Sequence, residues 1–137
     1  MAEIALHSGH AENLQQKDKV PVQRQLTEKL AMLQDIQLAM QNGGFYLMTQ
    51  KIHGVRGDDY YEILLRMVNA EGEHIKPADF LPVVQEFGLT WEVDRLVLDR
   101  TLNFIAHHRE QLPGIRFAVN LFAATLLTGA IQIVAGA

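Results

Sequence analysis

The stretch from Tyr60 to Arg66, Tyr-Tyr-Glu-Ile-Leu-Leu-Arg, places an acid and a base inside an otherwise aromatic and apolar run. Aromatic, β-branched and bulky apolar residues predict a β-strand. Because side chains alternate along a strand, Glu62 and Arg66 share one face with Leu64 between them. The opposite face is apolar and suited to packing against helices; its members are Tyr61, Ile63, Leu65 and Met67.

Charged side chains on a half-buried strand are costly unless they are partnered, so the pair Glu62 and Arg66 requires an explanation. One interpretation is a salt bridge on an edge strand, which would contribute little. The other is a binding site in which Glu62 holds a cation and Arg66 holds a phosphate. The strand alone favours neither.

Composition narrows the class of protein. The 137 residues allow one ordinary domain, and 48% apolar with 20% charged residues is typical of a globular chain. A net charge of -4 gives no general attraction to nucleic acid. The absence of cysteine excludes disulfides, zinc–thiolate sites and cysteine nucleophiles, and is compatible with a cytoplasmic location. We find no signal peptide and no apolar run long enough for a membrane span.

A helix is predicted over residues 22–41, because apolar residues recur there at spacings of three and four: Leu26, Leu30, Leu33, Ile36 and Met40. Asn42 and two glycines then end the helix, since these residues tolerate the left-handed conformation of a helix stop. The apolar stripe predicts core packing or a dimer seam.

Two strands are predicted next, Phe45 to Ile52 and Tyr60 to Val68, joined by a glycine-rich turn as a hairpin. Pro77 begins a helix that Gly88 ends. Thr90 begins another helix that reaches about His107.

A third strand is predicted from Arg116 to Phe122, with Arg116, Ala118 and Asn120 on one face. Because a helix separates it from the previous strand, we expect the two strands to be parallel.

Four motifs in this order resemble the EAL-type cyclic-di-GMP phosphodiesterase domains of bacteria. Glu62–Arg66 reads Glu-Ile-Leu-Leu-Arg, where that family has Glu-Ala-Leu-Leu-Arg. Thr49–Ile52 keeps the Gln and Ile of the family's Tyr-Gln-Pro-Ile. Ile75–Pro82, with the Gly-Leu at residues 88–89, resembles the family's Ile-x-Pro-x-x-Phe-Ile-Pro and following helix end. Val119–Phe122 is similar to its Val-Asn-x-Ser.

The resemblance implies an α/β fold that is part of a (β/α)₈ TIM-type barrel, with about three strands and flanking helices and a site at the C-terminal ends of the strands. It implies that Glu62 and Asn120 are metal ligands for Mg²⁺ or Mn²⁺, both of which accept oxygen donors. It also implies that Gln50, Leu65 and Arg66 line the cyclic-di-GMP site, with Arg66 on a phosphate oxygen.

The resemblance covers residues 44–122, which correspond to the N-terminal part of such a domain. Residues 22–41 would be a linker or the first barrel helix, residues 1–21 a flexible segment, and residues 123–137 an apolar tail whose structure we do not predict. A complete barrel of this class has roughly 250 residues. We therefore expect a truncated barrel with an open sheet edge.

Three functions are compatible with these residues. The favoured hypothesis is a truncated, degenerate EAL-like domain that does not catalyse alone. The second is an active cyclic-di-GMP phosphodiesterase that another chain completes. The third is a protein-interaction module, with a homo-oligomer or a protein partner at the open sheet edge.

Overall fold

The computed structural model of the protein describes residues 3–8 and 21–127. Its helices are α1 (Val22–Asn42), α2 (Pro77–Glu86), α3 (Thr90–His107) and α4 (Ala123–Leu127), and a 3₁₀ turn covers Arg109–Gln111. Its strands are β1 (Glu3–Ser8), β2 (Phe45–Ile52), β3 (Tyr60–Val68), β4 (His74–Ile75) and β5 (Arg116–Leu121). The strand order is β1-β5-β3-β2, and β4 pairs with β3. In the part of the chain described, no helix has the length and apolar character that crossing a membrane requires.

The predicted hairpin, the third strand and the three helices are confirmed, as is the parallel pairing of β3 with β5. The expectation of a flexible segment at residues 1–21 is wrong for Glu3–Ser8. These residues form β1, parallel to β5 and in register from Glu3 opposite Arg116 to Ser8 opposite Leu121. The physical reason is that β5, paired only with β3, would present a row of unsatisfied backbone groups. In the structure, β1 therefore covers the edge of β5 that does not pair with β3.

Two further predictions fall at the margins of the described chain. Residues 123–127, the start of the apolar tail, form the helix α4. Residues 9–20 and 128–137 lie outside the described residues.

One compact unit contains the described parts of residues 1–10, 47–65 and 90–137. Its core is formed by β3, α3 and β5 through six buried apolar residues: Ile63, Val97, Leu98, Phe117, Val119 and Leu121. Val97, Leu98 and Thr101 are spaced so that they share one face of α3, which is why that face is buried. Each large apolar side chain buried in this way contributes about 1.5–3 kcal/mol.

A second compact unit contains the described parts of residues 11–46 and 66–89. The rings of Phe45 and Phe80 meet edge to face there, with centroids 5.6 Å apart. The Val68 N–H donates to the Gly44 carbonyl at 2.8 Å, as in an antiparallel hairpin. A Cβ at Gly44 would lie 2.5 Å from the Val68 carbonyl oxygen, so only glycine permits this close approach.

Candidate functional site

Glu62 and Asn120 lie on neighbouring parallel strands. Glu62 on β3 is in register with Ala118 on β5. Asn120 is two residues further along β5, so alternation puts it on the same face as Ala118. The Asn120 Nδ2–H donates to Glu62 Oε1 at 3.0 Å, and both side chains are half-buried. The structure thus brings together the two residues that the sequence predicted as metal ligands.

This donor set fits a hard cation. A carboxylate and an amide oxygen are ligands that Mg²⁺ and Ca²⁺ accept, and both belong to side chains in direct contact. In the structure the Asn120 N–H donates to the Glu62 carboxylate. Rotating the Asn120 amide by half a turn about its terminal bond would present Oδ1 to a cation in place of Nδ2. Across residues 3–8 and 21–127, no three His, Cys, Asp or Glu residues form a group that could hold a metal. Glu62 and Asn120 therefore fit part of a coordination shell.

The three residues predicted to contact the nucleotide lie in three different environments. Gln50 is exposed on β2, and Arg66 is half-buried on β3 in the second compact unit. Leu65 packs against the apolar core that contains Ile63 and Val119. Leu65 therefore supports β3 from the helix-covered side, whereas Glu62 contacts Asn120 on the other. The roles of Gln50, Leu65 and Arg66 toward a nucleotide stay predictions.

Asp94 was missed as a residue near this site. From the sequence alone, an acid near the start of α3 suggests only a favourable interaction with the helix dipole. In the structure the side chain is 1% exposed, and its Oδ2 accepts the Phe122 N–H at 2.9 Å. The spacing of Asp94 from Val97, Leu98 and Thr101 places it on the buried face of α3, and this spacing could have identified it.

The environment of Asp94 alters its acidity. Burial raises the pKa of the Asp94 carboxyl from its ordinary value of 3.8 to about 6. The hydrogen bond from the Phe122 N–H and the interaction with the Thr125 side chain act in the opposite direction and lower the pKa. Both of these partners belong to the segment that directly follows Asn120 on β5.

A separate cavity of about 440 Å³ lies near the starts of β3 and β5. Two arginines take part in its lining, and the Arg116 guanidinium donates to the Asp58 carbonyl at 3.2 Å. Arg116 and Ala118 precede Asn120 on β5, so the cavity lies toward the N-terminal end of that strand. None of the predicted site residues lines it.

Residues 33–134 match the EAL domain family. Over 121 residues the chain is 44% identical to the cyclic di-GMP phosphodiesterase PdeF of Escherichia coli K12, a match that spans 88% of this chain and 16% of PdeF. The EAL domain of FimX from Pseudomonas aeruginosa, solved with bound c-di-GMP, superposes with a TM-score of 0.63 at 28% identity. That likeness covers 75% of this chain and 43% of the FimX chain.

A second solved structure, a complex of the phosphodiesterase PaMucR with c-di-GMP, gives a TM-score of 0.67 at 25% identity. It covers 77% of this chain and 44% of that one. The chain therefore spans less than half of these solved domains and about one sixth of the length of PdeF. The expected fold class, an α/β part of a barrel domain, is confirmed by these likenesses.

Proposed function

This chain belongs to the EAL domain family, and from that premise we propose that it contributes one part of a cyclic-di-GMP site. Glu62 and Asn120 are the proposed ligands of Mg²⁺ or Mn²⁺. Gln50, Leu65 and Arg66 are the proposed contacts and supports for the dinucleotide. The 137-residue chain on its own binds the dinucleotide without hydrolysing it, and the site operates in the cytoplasm.

The hydrogen bond between Asn120 Nδ2 and Glu62 Oε1 carries the metal part of this proposal. Two oxygen-bearing side chains from different strands meet at 3.0 Å, 58 residues apart in the chain. A half-buried carboxylate that accepts a hydrogen bond from an amide retains further acceptor capacity, which a cation would use. The match of residues 33–134 to the EAL family, whose relatives include PdeF, supports the choice of dinucleotide.

The bound cation would supply charge neutralisation at a phosphate and would lower the pKa of a coordinated water. The chain's own residues do the binding. Glu62 and Asn120 offer one carboxylate and one amide oxygen, and the Arg66 guanidinium can bind a phosphate through two parallel N–H donors. Mg²⁺ takes about six ligands in octahedral geometry. Glu62 and Asn120 would fill only part of that shell, and for this reason we propose binding rather than catalysis for this chain alone.

The test is titration calorimetry of the purified 137-residue chain with cyclic di-GMP and Mn²⁺, together with chromatographic detection of the hydrolysed dinucleotide. We expect saturable binding that is weakened by Arg66→Ala, and Mn²⁺ binding that is weakened by Glu62→Gln. Arg95→Ala is the matched control for the arginine, because its guanidinium lies at the protein surface with Asp99 at 3.6 Å.

Two outcomes overturn parts of the proposal. Turnover that Glu62→Gln abolishes would show an active phosphodiesterase, the alternative that 44% identity to PdeF favours. An absence of binding at millimolar dinucleotide would remove the nucleotide site and leave a protein-interaction module. Sedimentation of the chain with and without the dinucleotide then distinguishes a homo-oligomer from a monomer.

A further inference from the structure

We propose that Asp94 is a positioning residue for Asn120, because it fixes the point at which β5 leaves the sheet. This inference rests on the proposed function, since it concerns how the metal ligand Asn120 is held against Glu62. Asp94 itself touches neither the cation nor the dinucleotide. It acts through the backbone of the segment that follows Asn120.

The backbone N–H and carbonyl of Phe122 both form hydrogen bonds outside the β-sheet. Its N–H donates to Asp94 Oδ2 at 2.9 Å, and its carbonyl accepts the Thr125 N–H at 3.1 Å. The Thr125 side chain also interacts with the Asp94 carboxyl and lowers its pKa. A carboxylate on α3 therefore holds the N–H of residue 122, whose carbonyl in turn accepts the first-turn Thr125 N–H of α4. Because β5 ends at Leu121, a single residue separates Asn120 from the hydrogen-bonded Phe122.

The hydrogen bond between Asp94 and Phe122 lies in buried surroundings. Asp94 is 1% exposed, and Leu121, Phe122 and Thr125 are also buried. A buried carboxylate costs free energy unless it is hydrogen bonded, and the Phe122 N–H at the end of β5 supplies such a bond to Asp94. An apolar side chain would fill the same space but would leave the Phe122 N–H without this acceptor.

Thr101 provides a matched comparison on the same helix. It is buried to the same degree, at 2% exposure, and its hydroxyl donates to the Val97 carbonyl at 2.8 Å. That bond lies within α3 and does not reach the end of β5. Replacing Thr101 therefore removes a buried hydrogen bond from α3 without releasing Phe122.

The experiment measures the affinity of the full chain for Mn²⁺ alone, by calorimetry and by the spin resonance signal of free Mn²⁺. The variants are Asp94→Ala, Asp94→Asn, Thr125→Val and Thr101→Val, each measured at a temperature where circular dichroism shows it folded. Residues that orient a metal ligand typically contribute about 10–100-fold in affinity. Since Asp94 acts through one backbone link, we expect about tenfold weaker binding in Asp94→Ala.

The other variants separate positioning from general stability. Asp94→Asn keeps an acceptor oxygen for the Phe122 N–H and should restore most of the affinity. Thr125→Val removes the hydroxyl that interacts with Asp94 and should weaken binding about threefold, so it serves if Asp94→Ala does not fold. Thr101→Val should bind Mn²⁺ as the unaltered chain does. Hydrogen exchange at the Phe122 amide should accelerate in Asp94→Ala and not in Thr101→Val.

The outcomes are distinguishable. If the unaltered chain binds Mn²⁺ and Asp94→Ala binds it equally well, the positioning role is wrong and the proposed metal site stands. Equal losses in Asp94→Ala and Thr101→Val would also overturn it, because they would reflect stability alone. If the unaltered chain binds no Mn²⁺, the proposed metal site fails and the positioning role fails with it.

Discussion

Strands β5 and β2 each contribute one polar residue to the proposed site, but the structure supports them very differently. β5 pairs with β1 on one side and β3 on the other, and four of its six residues are buried. In β2, residues 48–51 are exposed, including Gln50. Asn120 is thus held by packing and hydrogen bonds before any ligand arrives, whereas Gln50 lies on an exposed stretch of β2. Substitutions on β5 should affect folding and binding together, and substitutions on β2 should affect binding alone.

Leu121→Ala tests the β5 side of this comparison and should have the largest effect. Leu121 is fully buried in the core with Val97 and Phe117. Removing a buried leucine side chain and leaving a cavity costs about 2–5 kcal/mol. Urea unfolding followed by circular dichroism measures the loss of unfolding free energy.

The matched change on β2 is Met48→Ala, because Met48 is 49% exposed. We expect its cost to stay within about 0.5 kcal/mol. Similar losses in the two variants would show that β2 is as well supported as β5, and the comparison would be wrong.

The pH dependence of the unfolding free energy tests the same end of β5, because Asp94 is hydrogen bonded to Phe122 there. Its pKa is raised to about 6 in the folded chain from an ordinary 3.8, so between these values the folded state binds more protons than the unfolded state. Lowering the pH from about 7 to about 4.5 should therefore stabilise the folded state through this group, by at most about 3 kcal/mol.

Because other carboxylates titrate in the same range, the contribution of Asp94 is measured by comparing the unaltered chain with the Asp94→Asn variant. The unfolding free energy of the unaltered chain minus that of Asp94→Asn should rise as the pH falls through 6. A difference that is constant with pH would contradict the raised pKa. A difference that falls would mean that the folded state holds Asp94 charged more readily than water does.

Local patterns were enough to predict most of the fold. The bounds of β2 and β3 follow from alternation and from the glycines between them, and Pro77 marks the start of α2 as expected. These signals lie within the elements themselves, so a single sequence contains them. The pair Glu62 and Asn120 was predicted by resemblance to family motifs; the structure places the two side chains in hydrogen-bond contact, and their role as metal ligands stays a prediction.

What could not be predicted depends on contacts between distant residues. The pairing of β1 with β5 joins Ala5 to Ala118, and nothing in residues 3–8 specifies that partner or its register. The role of Asp94 was equally hard to predict, since an acid near the start of a helix is common for electrostatic reasons. Only the position of Phe122 reveals its second role.

Ala5→Pro tests whether β1 supports β5 and should have an intermediate effect. Proline lacks the N–H and restricts the backbone, so it disturbs a strand that pairs in register with Ala118. Losing one or two backbone hydrogen bonds should cost about 1–2 kcal/mol. Hydrogen exchange in β5 should accelerate in this variant.

The control at the same position is Ala5→Val, because a β-branched residue suits a strand. Its exchange rates in β5 should match those of the unaltered chain. Unchanged protection of β5 in Ala5→Pro would show that β1 contributes no support, and β5 would then be no better paired than β2.

Gln50→Ala tests the β2 side and should have the smallest effect on the fold. Gln50 is exposed, so we expect its replacement to change the unfolding free energy by less than about 0.5 kcal/mol. If Gln50 donates or accepts one hydrogen bond to the dinucleotide, its loss should weaken cyclic-di-GMP binding by about 2–10-fold. Thr49→Ala is the control, because Thr49 is also exposed but points to the opposite face of β2. Equal affinities of the two variants would remove Gln50 from the proposed site, and a large loss of stability in Gln50→Ala would show that β2 carries part of the support that the comparison assigns to β5.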